Sequence, residues 1–370
     1  MDTPYKDLSL PQRILLGPGP SNVPDSVLKA MASPVVGHLD PAFLAVMEEV
    51  QEMLRVVFMT NNHFTIPISG TGSAGMEAAF VNMIEEGDHV LVCVNGVFGE
   101  RMSDIVGRCG GILKRVEATW GTPINPDDVT AALQDFPATI VAIVHAETST
   151  GVLQPLEEIS KIVHEKGALL LVDAVTSLGG APVKIDEWNI DICYSGTQKC
   201  LSCPPGLAPI TFSEPAIEKL RKRSQKVQSW YLDMTMLEKY WGPDRVYHHT
   251  APISMIYALR ESLRIILEEG LATRWERHTR HHRELVAGLE KLGLNMLVEE
   301  SYRTPMLNSV VFSSDVDDAA VRKRLLEEYN IEIGSGLGPL KGKIWRIGLM
   351  GHSCSQENVE HILNALKALL

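Results

Sequence analysis

The run Ala168-Leu169-Leu170-Leu171-Val172 is apolar without interruption and stops at a carboxylate, Asp173. Alternating polarity would mark a strand with one wet face. An unbroken run marks a strand covered on both faces, as in a parallel sheet sandwiched between helices. Further apolar runs lie at 63–69, 89–94, 112–116, 140–144, 192–194 and 207–212, with helical windows at 127–133, 156–164 and 216–223 between them. Strand alternating with helix predicts an α/β fold with a mostly parallel, seven-stranded sheet. Open sheets of this kind gather their ligands beyond the carboxyl ends of the strands. Asp173 and the turns that follow the other strands are therefore where a site should lie.

Beyond the strand at 192–194 the chain reads Ser195-Gly196-Thr197-Gln198-Lys199-Cys200-Leu201-Ser202-Cys203-Pro204-Pro205-Gly206. Proline and glycine punctuate the stretch, so its one lysine sits in a turn between regular elements. A desolvated lysine is partly deprotonated and can attack a carbonyl as an amine; the alternative is an ordinary lysine in a polar turn. A strand-end aspartate followed by a turn lysine is the pairing that pyridoxal phosphate chemistry needs. The carboxylate keeps the pyridine nitrogen protonated and the lysine holds the aldehyde. For Asp173 the competing reading is a helix N-cap.

Residues 63–69 lead into Gly70-Thr71-Gly72-Ser73-Ala74-Gly75, a glycine-rich turn opening a helix. Its backbone N–H groups and the helix dipole make a phosphate cradle around Thr71, Gly72 and Ser73. Asn95-Gly96-Val97-Phe98 puts an aromatic ring at the same sheet edge, and His145-Ala146-Glu147-Thr148-Ser149-Thr150 ends the next strand there. Trp345-Arg346-Ile347-Gly348 carries one arginine in an apolar strand, where a guanidinium presents a fork matched to a carboxylate. The alternative for Arg346 is a structural salt bridge.

Together with Gly17-Pro18-Gly19-Pro20-Ser21-Asn22, these motifs resemble the class V aminotransferases, nearest the alanine–glyoxylate and serine–pyruvate branch. The likeness runs over nearly the whole chain. It implies fold type I, with a polar arm over 1–15, a large cofactor-binding domain over 16–269 and a small α+β domain over 270–370. It also implies a homodimer with shared active sites that moves an amino group between a small amino acid and glyoxylate or pyruvate. Lys199 and Asp173 would be catalytic. Thr71, Gly72, Ser73, Phe98, Thr148, Val175, Gln198 and, from the neighbouring subunit, Tyr247 and Thr250 would hold pyridoxal 5'-phosphate; Arg346 and Gly19 would face the substrate. Phe98 departs from the family, which commonly has tryptophan there.

A net charge of −12 and a pI near 5.5 argue against nucleic acid or anionic membrane as partners. No window is long and apolar enough to span a membrane, residues 1–20 lack an apolar leader core, and Ala368-Leu369-Leu370 is not a peroxisomal address. A cytoplasmic enzyme is the expectation. Six cysteines in this length form no disulfide framework, and Cys200-x-x-Cys203 has no second pair to complete a metal site. Tyr247-His248-His249-Thr250 lacks a ligand partner at metal spacing, and neighbouring histidines are expected to point apart. The basic segment 277–283 reads as a solvated helix face. Asp25 reads as a helix N-cap, helices are expected over 44–58 and 357–369, and strands over 307–312, 331–334 and 344–348. A rival reading is a desulfurase-like lyase, for which Cys354 is the one candidate thiol in the last hundred residues.

Overall fold

The computed structural model describes residues 5–370. After an exposed segment the chain forms a short strand, β1 (Ile14–Leu15). It then builds β2 (Phe64–Ser69), β3 (His89–Val94), β4 (Ile112–Glu117) and β5 (Ile140–Val144). A small hairpin, β6 (Ala146–Glu147) and β7 (Val152–Leu153), precedes β8 (Leu169–Asp173), β9 (Ile192–Tyr194) and β10 (Leu207–Phe212). The seven long strands form one sheet in the order β2-β10-β9-β8-β5-β3-β4. Only β10 runs antiparallel to its neighbours. The turn from β9 to β10 contains no helix, which an antiparallel neighbour permits and a parallel one does not. That turn carries Lys199. Register brings Val144, Asp173 and Tyr194 side by side at the carboxyl edge, so the sheet itself gathers the polar residues.

Both faces of this sheet are covered, and every residue of β5 and β10 is buried. The exposed edge strand β4 is blunted by Lys114, Arg115 and Glu117. The helix expected over 44–58 begins earlier, at Pro41, because Asp40 caps it by accepting from the Ala42 amide at 2.8 Å. Asp25 is not a cap. Its helix, Asp25–Met31, has Pro24 at the N-cap position with no side-chain bond, and Asp25 lies in the first turn, near the positive end of the dipole.

A second core forms around Trp345, Leu285, Val310 and Ile362. Its sheet is β11 (Asn295–Met296), β12 (Leu307–Val311), β14 (Gly334–Ser335) and β15 (Ile344–Gly348), in the order β11-β12-β15-β14. The single strand expected over 331–334 divides. Its first part, β13 (Ile331–Glu332), pairs with β1, while β14 pairs with β15. Leu16, next to β1, lies in this second core. The last helix, Gln356–Leu369, is capped by Ser355, which accepts from the Asn358 amide.

The segment 277–283 is solvated on one side only, where Arg280 and Arg283 are exposed. His278, His281 and His282 are buried, and Arg277 turns inward to Glu269 at 2.6 Å. Its helix, Leu271–Lys291, starts immediately after helix Ile253–Glu269, the break falling at Gly270 with φ +81°. His278 Nε2 accepts from the Gly351 amide at 3.0 Å and His282 Nδ1 bonds Asn308 Oδ1 at 2.7 Å, so contacts to the second core bury a face that composition alone would leave in water.

Candidate active site

Asp173 ends β8 with only 3% of its surface exposed. Its Oδ1 accepts from the Val175 amide and its Oδ2 from the Tyr194 hydroxyl, each at 2.8 Å. No helix starts here, so Asp173 is not an N-cap; its bond to Val175 closes a tight turn instead. Burial pushes the carboxyl up to about 6, against those two hydrogen bonds. Asp173 forms no ion pair among the described residues. A buried carboxylate with neutral donors only is an environment that a cationic ring N–H would complete.

The lysine turn is held on several sides. Ser195 donates to the Ala174 carbonyl at 3.0 Å and Thr197 to the Pro204 carbonyl at 2.7 Å. Ser21 donates to the Lys199 carbonyl at 2.8 Å, and its amide bonds the Gln198 carbonyl. Lys199 is buried, and its Nζ donates to the Pro18 carbonyl. Burial first, and the Arg346 charge second, bring its ammonium from 10.5 down to about 8. The lysine stem lies over Gly19, where a Cβ would sit 2.6 Å from Lys199 Cδ; with φ at +107°, that position requires glycine. The Gln198 side-chain oxygen is buried without a hydrogen-bond partner.

Helix Gly72–Met83 opens the glycine turn and has no side-chain cap. Gly72 approaches Val175 and Gly196, so the cradle meets the aspartate and lysine turns. Ser73 accepts from Arg101 at 3.2 Å, and the same guanidinium lies 4.9 Å from the Phe98 ring centroid. Phe98 is the second residue of helix Val97–Arg108. Thr148 is buried, and its carbonyl accepts from Arg346 Nη1 at 3.2 Å. Arg346, on β15, also donates from Nε to the Ser335 carbonyl at 2.7 Å. It is 7% exposed and forms no ion pair among the described residues, so the structural salt bridge is not observed. Burial lowers its pKa to about 10.

Tyr247 and Thr250 are not drawn into this cluster. Both are exposed, Tyr247 at 58%. Between them, His248 and His249 do not point apart: their Nδ1 atoms hydrogen-bond at 2.9 Å, and His249 Nε2 bonds Ser69 Oγ at 2.7 Å, just before the cradle. All six cysteines are buried and unpaired, and no cluster of metal-ligating side chains occurs among the described residues. Burial pushes the Cys354 thiol up to about 12, the opposite of a reactive thiolate.

Tyr194, Ser21, Glu147 and the Pro18 carbonyl are site residues that sequence reasoning passed over. Tyr194 left a trace, since a tyrosine in a buried strand needs a hydroxyl partner. Ser21 and Pro18 left none, because their contacts bridge more than 170 positions of sequence.

A strand-end aspartate, a desolvated turn lysine, a glycine cradle and a buried arginine thus converge on one edge of a mostly parallel sheet. The class V aminotransferase family profile matches residues 13–361, and the chain belongs to that family. It is a pyridoxal phosphate-dependent aminotransferase of fold type I. The chain is 42% identical to the (S)-ureidoglycine–glyoxylate transaminase of Bacillus subtilis (strain 168), covering 99% of this chain and 92% of that one. It is 40% identical to the alanine–glyoxylate aminotransferase of Callithrix jacchus, covering 99% and 89%. The crystal structure of the alanine–glyoxylate aminotransferase from Nostoc sp. superposes with a TM-score of 0.98 at 51% identity, over 99% and 97% of the chains. Among the described residues no helix is long and apolar enough to cross a membrane.

Proposed function

We propose that this enzyme transfers an amino group from a small amino acid, alanine or serine, to glyoxylate or pyruvate, and that Lys199, Asp173 and Arg346 carry the chemistry. The observation that carries the reading is Arg346. It is a buried guanidinium without a carboxylate partner, and of all charges its own acts most on Lys199. A substrate carboxylate is the ligand such a fork is built to take.

The residues present suit pyridoxal phosphate. Asp173 is a buried carboxylate open to a cationic partner, Gln198 offers an orphaned buried acceptor, and helix Gly72–Met83 has an uncapped N-terminus for an anion. Thr71, Gly72 and Ser73 would hold the phosphate, Phe98 and Val175 the two ring faces, and Thr148 the ring hydroxyl. Tyr247 and Thr250 would reach the phosphate of a partner subunit. When bound, the cofactor supplies an electron sink for the bond broken at the substrate Cα. Asp173 keeps the ring nitrogen protonated. Lys199, as a free amine, would take the proton from the substrate Cα and later give it back. Arg346 would set the substrate carboxylate, and by the family likeness Gly19 would line the substrate side.

The enzyme is inferred to act as a cytoplasmic homodimer, with a large domain over 16–269 and a small one over 270–370. Six buried, unpaired cysteines suit a reducing compartment. A dicarboxylate acceptor would bring a distal charge with no fixed partner, which is costly to bury. Arg303 is held by the Val298 carbonyl at 2.8 Å, and Arg101 is exposed beside Ser73. Comparing kcat/KM for glyoxylate, pyruvate and 2-oxoglutarate tests the reading. We expect 2-oxoglutarate to be poorer by at least about a hundredfold, and parity with glyoxylate would overturn the small-acceptor assignment.

A further inference from the structure

Glu147 is a carboxylate with 1% of its surface exposed, and the mechanism above makes no use of it. Its Oε1 accepts from the Ser149 amide at 3.0 Å and the Ser149 hydroxyl at 2.6 Å. Its Oε2 accepts from the Phe98 amide at 3.1 Å. Ser149 Oγ in turn accepts from the Val97 amide at 3.0 Å. Helix Val97–Arg108 has no side-chain cap of its own. Glu147 and Ser149 therefore cap it across the sheet, with a negative charge at the positive end of its dipole. Gly96, the residue before the helix, is shaped to this contact. A Cβ there would lie 2.4 Å from Glu147 Cδ and 2.5 Å from Ser149 Oγ. Its φ of 176° is extended, so the glycine is needed for space and not for conformation.

A helix cap alone could be a serine or an asparagine on the helix itself. Here the cap comes from the hairpin that carries Thr148, whose carbonyl holds Arg346. One carboxylate thus ties the helix bearing Phe98 to the turn that orients the arginine. We propose that Glu147 is a positioning residue for transamination, locking the aromatic wall of the cofactor site and the Thr148–Arg346 contact into a single register. The inference rests on the roles given above to Phe98 and Arg346. Substrate carboxylate and cofactor ring then meet at a distance set by Glu147, and a shift of an ångström there is enough to slow the reaction strongly.

Two variants attack this contact by independent routes. Glu147→Gln removes the charge and one acceptor, and Gly96→Ala keeps the carboxylate but displaces it. Four quantities are measured: kcat and KM for the amino donor, the visible circular dichroism of the bound cofactor, and the thermal midpoint of the cofactor-free protein. We expect both variants to lower kcat/KM for the amino donor by roughly tenfold to a hundredfold and to lose most of the visible dichroism. The cofactor-free midpoint should fall only by about 4 °C or less. Should Glu147→Gln fail to fold, Gly96→Ala decides on the same readouts. A lowered midpoint with wild-type kcat/KM and dichroism would overturn the proposal, leaving Glu147 a structural cap. Phe98→Ala and Arg346→Gln run alongside. If these two are fully active, the site reading itself is wrong, and if they are impaired while both test variants are not, only the role of Glu147 falls.

Discussion

Lys199 is a base whose strength is set by its surroundings. Burial disfavours the ammonium form, and the Arg346 charge disfavours it further, bringing the pKa from 10.5 to about 8. Cofactor loading needs the neutral amine. Its rate on cofactor-free protein should therefore rise with pH and level off above about 8. Replacing Arg346 with Gln removes a positive neighbour, so the ammonium is favoured and the midpoint must move up, toward 10.5. Stopped-flow absorbance across pH 6–10 checks this, and a midpoint unmoved or lowered in Arg346→Gln would refute the coupling. The lysine and its aspartate were legible in the sequence because each ends or follows an apolar strand, and strand ends converge. What sets their chemistry was not. Tyr194 on Asp173, Pro18 and Ser21 on Lys199, and Glu147 behind Phe98 are contacts that arise only when distant segments close on one another. No local periodicity announces them.

Among elements, the apolar strands were read nearly to their ends, since burial on both faces leaves an unbroken signature. Helix faces were read less well. The segment 277–283 looks solvated by composition, yet Arg274 and Arg277 converge on Glu269 at 2.5 and 2.6 Å. Arg274 also donates to the Cys200 carbonyl at 2.7 Å and the Gly179 carbonyl at 2.9 Å, so this junction of two helices supports the lysine turn from behind. Burial pushes the Glu269 carboxyl up, but the two guanidiniums outweigh it and hold the pKa below 4.5. A depressed carboxyl contributes stability above its unfolded pKa and loses it as pH falls through the folded value. Glu269→Ala should thus cost about 3 kcal/mol at pH 7, the lower end for a broken buried pair, because the glutamate keeps 21% exposure. Urea unfolding should show the gap between variant and wild type narrowing below pH 4.5. A gap that stays constant down through that range would contradict the pairing.

At the scale of the whole molecule, the site draws on both cores, with Lys199 and Asp173 on the large sheet and Arg346 on the small one. Two residues that the family likeness assigns to the site stay outside it in the single chain. Tyr247 is 58% exposed, and Trp230 at 59% and Val246 at 49% are exposed beside it in sequence or fold. His249 meanwhile anchors this segment to Ser69. An apolar surface anchored next to a phosphate cradle is suited to a second copy of the chain. If Tyr247 and Thr250 serve the partner's site, two inactive variants should rescue one another. One parent carries Lys199→Ala, the other Tyr247→Ala with Thr250→Ala. In a mixed dimer, one site then holds both defects and the other is wholly wild type. Equal mixing after reversible dissociation makes half the dimers mixed, so activity should recover to about a quarter of wild type. Were the two residues to act within their own subunit, every site would keep one defect and mixing would restore nothing. Assaying the co-refolded mixture against the two parents separates the cases, and the absence of any gain, with mixed dimers verified by mass, would rule out shared sites.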